Sequence, residues 1–157
     1  MPMFARRSAR ADDSKAKLRL RDLDDREREW VAAHVDLIIE AGVDVDDAAR
    51  IRTYYERSAA AWRRINPPER DDPRVTVNAI GAAFGEHLVR RMRLRWMLAE
   101  DDEGIELAVY DLRTGTIVYP VLLTAERWMA EAPGDFLAET ADLVAAKVPA
   151  ANRKRHE

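Results

Sequence analysis

Between Val77 and Leu123 the spacing of apolar residues changes once, and that change decides the class of fold open to this chain. Wound at about 100° per residue, Val77, Ile80, Phe84, Leu88 and Met92 fall on one stripe, which predicts a helix over 77–92. After Arg93 the period becomes two. Leu94, Trp96 and Leu98 alternate with Arg95, Met97 and Ala99, as in a half-buried strand. Ile105, Leu107 and Val109 alternate in the same way beyond the turn at Glu100–Gly104, and Ile117, Tyr119, Val121 and Leu123 do so beyond Arg113-Thr114-Gly115. Turns this short between strands predict an antiparallel meander. Pro120 cannot donate to a ladder, so its strand is expected at an edge or with a bulge. The second sheet face, with Met97, Ala99, Ala108, Tyr110, Val118 and Leu122, is too apolar to be left to water.

Gly81 and Gly85 share the helix's apolar stripe. A helix-interior glycine costs about 1 kcal/mol against alanine, so two of them on the buried side imply close approach of another group. Tight helix-on-sheet packing is the plain reading; a ligand or partner against bare backbone is the sharper one. Glu86 projects to the opposite side, where a solvated charge is expected.

The run Ile80-Gly81, Phe84-Gly85-Glu86 and Leu88, followed by a tryptophan strand at Trp96, a hairpin and a closing helix, resembles an uncharacterised bacterial domain, domain of unknown function 3806. The resemblance covers Val75 to Val148. It implies a bacterial α+β domain and brings no catalytic residues with it.

The chain's 157 residues suit one domain, able to bury roughly two-thirds of its unfolded surface. It has no cysteine, which excludes disulfides and thiolate metal sites and suits a reducing cytoplasm. The N-terminus has arginines but no apolar run after them, and no stretch is long and apolar enough to span a membrane. Charge is segregated. Residues 1–21 carry +5 and residues 147–157 carry +3; with the whole chain at −3, the body between them holds −11. Such a body repels nucleic acid, and only the basic ends could touch RNA or an anionic surface.

Asp24 and Glu27 form an acidic capping box for a helix ending near Ala41-Gly42. Its expected buried face is Trp30, Ala33, Leu37, Ile38 and Ala41, with His34 among them as a neutral core side chain or, alternatively, a ligand or a base. Asp44 is expected to cap a second helix through Arg64, with Ile51, Tyr55, Ser58, Ala59, Trp62 and Ile65 inward and Tyr54 beside them. The two should pair as an αα-hairpin. The Asn66–Pro73 loop carries this hairpin onto the meander, with Asp72 capping the next helix. After the strands, Thr124 is expected to cap a short helix bearing Trp128 and Met129, broken by Pro133-Gly134. Asp135 opens the last helix, facing inward through Phe136, Leu137, Thr140, Leu143, Val144 and Val148.

Familiar chemistries find little support. Ser8, Ser14 and Ser58 lack a nucleophile elbow. His34, His87 and His156 have no ligand spacing, and Gly81-x-x-x-Gly85 lies inside a helix rather than before one. The acidic turn Glu100–Glu103 lacks the spaced ligands of a calcium loop. Glu86 with His87 is the least poor acid–base pair.

The sequence therefore predicts an α+β fold: a three-stranded antiparallel meander, open to one more strand, packed with a long helix, plus an N-terminal helical hairpin and C-terminal helices. Its expected organisation is a flexible basic arm (1–21), one domain over 22–148 with the hairpin at 24–65 and the meander unit at 73–148, and a basic tail (149–157). The preferred reading is a non-enzymatic cytoplasmic module that binds another protein, as adaptors or toxin-neutralising partners do, with homodimerisation also open. The alternative is a small enzyme or small-molecule receptor with a pocket between helix 77–92 and the sheet. No catalytic, cofactor or metal residues are assigned. The candidate contact residues are Trp62, Gly81, Gly85, Glu86, Trp96, Tyr110 and Trp128, each with a place in the core as the plain alternative.

Overall fold

The computed structural model describes residues 17–148; most of the expected arm and all of the tail lie outside them. The elements run β1 (Arg19–Asp22), α1 (Asp25–Glu40), α2 (Ala48–Arg64), a 3-10 turn (Pro67–Glu69), α3 (Arg74–Met92), β2 (Arg95–Asp101), β3 (Gly104–Tyr110), β4 (Ile117–Val118), α4 (Pro120–Met129) and α5 (Asp135–Lys147). This is an α+β fold with one antiparallel sheet in the order β1-β2-β3-β4.

The change of period falls where the sequence puts it. Arg93 closes α3 in the left-handed region, at φ 57°, and redirects the chain into β2. α3 is the central element. Ala79, Ile80, Ala82, Ala83, Phe84 and Leu88 are at most 2% exposed, and α1, α2, α4 and the sheet all pack on this helix. The N-cap position of α3 falls on Pro73, not Asp72, but Asp72 Oδ1 still accepts from the helix's first N–H, Arg74 N, at 2.9 Å from one residue further back. Trp96 pairs with Val109 and Leu98 with Leu107, so these four share the sheet face expected of them. On the second face Ala99 and Ala108 are buried.

The strand TIVYPVLL is half right. Only Ile117 and Val118 pair, and Pro120 opens α4 instead of edging the sheet. Proline is favoured at a first helical position, where its fixed φ fits and its missing N–H goes unused. Val118, not Ile117, lies opposite Val109 and so joins the core face. The turn sets that register: Asp111 N donates to Thr116 O and Gly115 N to Asp111 O, both at 2.9 Å, with Gly115 at φ 75°. Thr124 is no cap. It is buried within α4, and its hydroxyl donates to Pro120 O at 2.8 Å.

The N-terminal half departs further. Residues 19–21, assigned to the arm, begin β1, which adds a fourth strand to β2. The capping box is present as read: Glu27 N donates to Asp24 Oδ1, and Asp24 N to Glu27 Oε1, both at 2.8 Å. The buried face of α1, however, is Glu27, Val31, Val35 and Ile38, while Leu37 is 45% exposed. Arg21 reaches Glu27 from β1 and satisfies its carboxylate, so an acid occupies a position that polarity alone gives to solvent. Asp47, not Asp44, caps α2, accepting from Ala49 N at 3.0 Å; Asp44 accepts from Asp46 N inside the linking turn. α1 and α2 follow one another across that short link, but each packs mainly on α3 rather than on the other. α5 begins at Asp135 as read, with Phe136, Leu137, Val144 and Val148 buried and Leu143 63% exposed.

Candidate functional site

A cleft of about 640 Å³ opens between α1 and the C-terminal half of α3, and the start of β2 closes one end. α1 contributes Arg28, Val31, Ala32, Val35, Asp36 and Ile39. That i, i+3, i+4, i+7, i+8, i+11 series runs the length of the helix on one side. α3 contributes Glu86, Val89 and Arg90 at the same spacing, and the chain after it contributes Leu94, Arg95 and Trp96. Asp22 and Leu23, between β1 and α1, complete the lining. The floor is therefore apolar and the rim charged.

The rim charges are largely committed to one another. Arg95 Nη2 lies 2.8 Å from Asp22 Oδ1. Arg90 donates to Glu86 Oε2 at 2.8 Å and lies 3.8 Å from Asp46. Arg28 donates to Asp25 at 2.6 Å and to the Leu23 carbonyl. Glu86 Oε1 also accepts from the Trp96 indole N–H at 3.1 Å. Glu86 is thus half-buried and doubly bonded, not the solvated charge its helical phase suggested. Phase gave the direction of its Cα–Cβ bond but not that β2 folds back beside it.

Three of the residues singled out in the sequence meet here. Gly85 is bare where the Trp96 ring crosses: a Cβ there would sit 2.6 Å from Trp96 Cζ2 and 2.8 Å from Pro120 Cγ. Glu86 then fixes the same ring's N–H. Gly81, one turn back, lies under α4, where a Cβ would be 2.6 Å from Val121 Cα. The close approach is backbone on helix, not the expected helix on sheet. Trp62 and Trp128 form a separate cluster with ring centroids 5.8 Å apart. Trp128 is core, 2% exposed, with Tyr55 edge-on at 5.9 Å. Trp62 donates to Asp71 O at 2.8 Å beneath the Arg70 guanidinium. Tyr110 lies opposite Arg95 in the ladder, hence on the sheet face away from Trp96.

Glu86 and His87 do not act together. His87 is buried, stacked on Phe84, with Nδ1 2.9 Å from the Val45 carbonyl. Contact with a carbonyl makes Nδ1 the protonated nitrogen. Burial pushes the imidazole below its ordinary value of 6.5. The unfolded chain therefore takes up the proton first on acidification. His87's contribution is full above about pH 6.5 and is lost as pH falls below it. Thermal melts between about pH 7.5 and about pH 5.5 are expected to show wild type losing more stability than His87→Asn. The asparagine keeps a donor for Val45 but cannot titrate. Parallel curves would remove His87 as the source. His34 Nδ1 lies 2.8 Å from the Trp30 carbonyl, one turn back on α1.

Among the described residues no group of three or more ligating side chains could hold a metal ion, and no helix is long and apolar enough to cross a membrane. The family described as Domain of unknown function (DUF3806) matches residues 57–139, just over half of the chain. The chain belongs to this family. No curated protein and no solved structure matches it significantly. The DUF3806 stretch starts within α2 and ends within α5, earlier at both ends than the resemblance read from the sequence. It includes one wall of the cleft, Glu86 to Trp96. The other wall, β1 and α1, lies outside it. Sequence reasoning missed Asp22, Val31, Asp36 and Ile39. The available signal was the last two turns of α1, where Val35, Leu37, Ile38 and Ile39 make an apolar band wider than a single buried stripe.

Proposed function

We propose that this DUF3806 protein is a non-catalytic module of the bacterial cytoplasm that binds a segment of another protein in the cleft between α1 and α3. The observation that carries the reading is the cleft's shape. Its α1 wall spans twelve residues from Arg28 to Ile39, about 16 Å of helix, and is apolar along its floor. An elongated trough between two helices suits inserted side chains at helical spacing. Glu86, the one acid on the α3 wall, is bonded to an indole and a guanidinium rather than to a group that could relay a proton. The volume also lies within the range of small-molecule pockets, so a small-ligand receptor is the second reading.

Site-specific photo-crosslinking tests the first. A benzophenone amino acid at Ile39, 45% exposed in the cleft wall, is expected to capture a discrete protein in the native host. The same group at Leu143, on α5, is not, and Ala32→Arg should abolish capture at Ile39. Equal capture from both positions, or a small molecule co-purifying with the protein and displaced by Ala32→Arg, would reject it.

A further inference from the structure

We propose that the segment received by the cleft is a basic amphipathic helix, its apolar face on the exposed Ile39 and half-buried Val89, over a floor of buried Val31, Val35 and Leu94, and a lysine or arginine against Asp36. This rests on the protein-binding reading above and adds the partner's chemistry to it.

The argument is one of charge left over. Each arginine on the rim already has a carboxylate: Arg28 has Asp25, Arg90 has Glu86 and Asp46, Arg95 has Asp22. Asp36 lines the cleft, is exposed, and makes no hydrogen bond or ion pair with any described residue. It is also not alone. From Glu29 to Asp47 the chain has six acidic side chains (Glu29, Asp36, Glu40, Asp44, Asp46 and Asp47) and no lysine or arginine. Among the described residues, only Asp46 and Asp47 of these pair with an arginine, at 3.8 and 3.5 Å. Of the six only Asp36 lines the cleft; the other acids of α1 and the turn after it lie outside the lining. The lining's other charges, Asp22, Glu86, Arg28, Arg90 and Arg95, are paired, which leaves Asp36 as the uncompensated charge beside an apolar trough. Such a charge draws cationic partners in and turns anionic ones away. Ala32 and Asp36 lie one turn apart, with Val35 and Ile39 beside them on the same wall. A helix laid along the trough meets apolar surface and acid in alternation, at the spacing an amphipathic helix can supply.

The probe is a labelled peptide of about fourteen residues, long enough for a marginal helix. Leucines stand at i, i+3, i+4 and i+7 and lysines on the flanks; its twin has glutamate for every lysine. Fluorescence anisotropy with the full chain is expected to show saturable binding of the lysine peptide, weakening as salt rises to about 0.15 M. The glutamate peptide should bind at least about tenfold more weakly, and Asp36→Lys should weaken the lysine peptide by about tenfold. Ile39→Asp should weaken both peptides. Both positions are exposed, and a circular dichroism melt checks that each variant folds. Equal binding of the two peptides, or an Asp36→Lys variant with unchanged affinity, overturns the proposal. So does failure of the lysine peptide to bind while crosslinking at Ile39 still captures a protein; the basic helix is then wrong and the binding module stands. Concentration-dependent dimerisation that blocks the peptide and is lost in Ile39→Asp would give the cleft to a second copy instead.

Discussion

Gly81→Ala is expected to destabilise the protein by about 1–3 kcal/mol, although alanine is the better helix former by about 1 kcal/mol. The added Cβ would lie 2.6 Å from Val121 Cα and 3.1 Å from the Pro120 carbonyl oxygen. Both are backbone, and neither can rotate away. α4 must move off α3 as a body, loosening Val121, Thr124 and Trp128 together, all of them buried. Gly85→Ala is the instructive contrast. Its Cβ meets the Trp96 ring and Pro120 Cγ, which are side chains. The ring can tilt, so the stability loss is expected to be smaller, but the tilt breaks the bond from Trp96 Nε1 to Glu86. Urea unfolding monitored by circular dichroism should rank wild type above Gly85→Ala above Gly81→Ala. Tryptophan emission should shift more in folded Gly85→Ala than in folded Gly81→Ala. A Gly81→Ala protein as stable as wild type would mean that α3 and α4 do not approach as described.

That pair also shows what the sequence can and cannot disclose. Two glycines on an apolar helical stripe announce that something comes close, because nothing else justifies their helical penalty. They do not say what. The partner of Gly81 is a helix that the alternation Ile117, Tyr119, Val121, Leu123 disguises as a strand; the proline inside the run was the only mark of where the strand stops. Local patterns with a single solution were legible: the Asp24–Glu27 box, the period change at Arg93, the break at Pro133-Gly134, the start of α5 at Asp135. Features decided by distant segments were not. Glu86 is half-buried because β2 returns beside α3, and Glu27 faces inward because β1 brings Arg21 to it. The cleft belongs to this second class. One of its walls is read within the DUF3806 stretch and the other outside it, so no local motif spans both. Of the seven candidate residues, only Gly85, Glu86 and Trp96 meet around it, and only Glu86 and Trp96 line it.

The acid at Glu27 leads to the other large effect. Its side chain is 9% exposed and receives three donors: both terminal nitrogens of Arg21 and the backbone N–H of Asp24, each at 2.8 Å. One residue thus completes the cap of α1 and ties β1, a four-residue edge strand, to the helix beside it. Glu27→Ala is expected to cost about 2–3 kcal/mol: about 1 from the reciprocal cap and the rest from the bidentate pair, reduced because Arg21 is half-exposed to solvent. Glu27→Gln keeps an acceptor for Asp24 N and should lose only about 1 kcal/mol. In both variants hydrogen exchange should rise first in β1, because Arg21 no longer holds that strand. Asp22 and Leu23 then leave the end of the cleft, so peptide affinity should fall with the strand's protection. Acid supplies an independent check. The bond from Arg21 holds Glu27 below its ordinary value of 4.5. The unfolded chain therefore protonates this group first. The pair's contribution is full above about pH 4.5 and disappears as pH falls through the lower folded value. The stability gap between wild type and Glu27→Gln should be constant from neutral pH down to about pH 5 and narrow below it. A gap that persists unchanged to about pH 2.5 would mean that the charge of Glu27 is not the source of the difference between the two side chains.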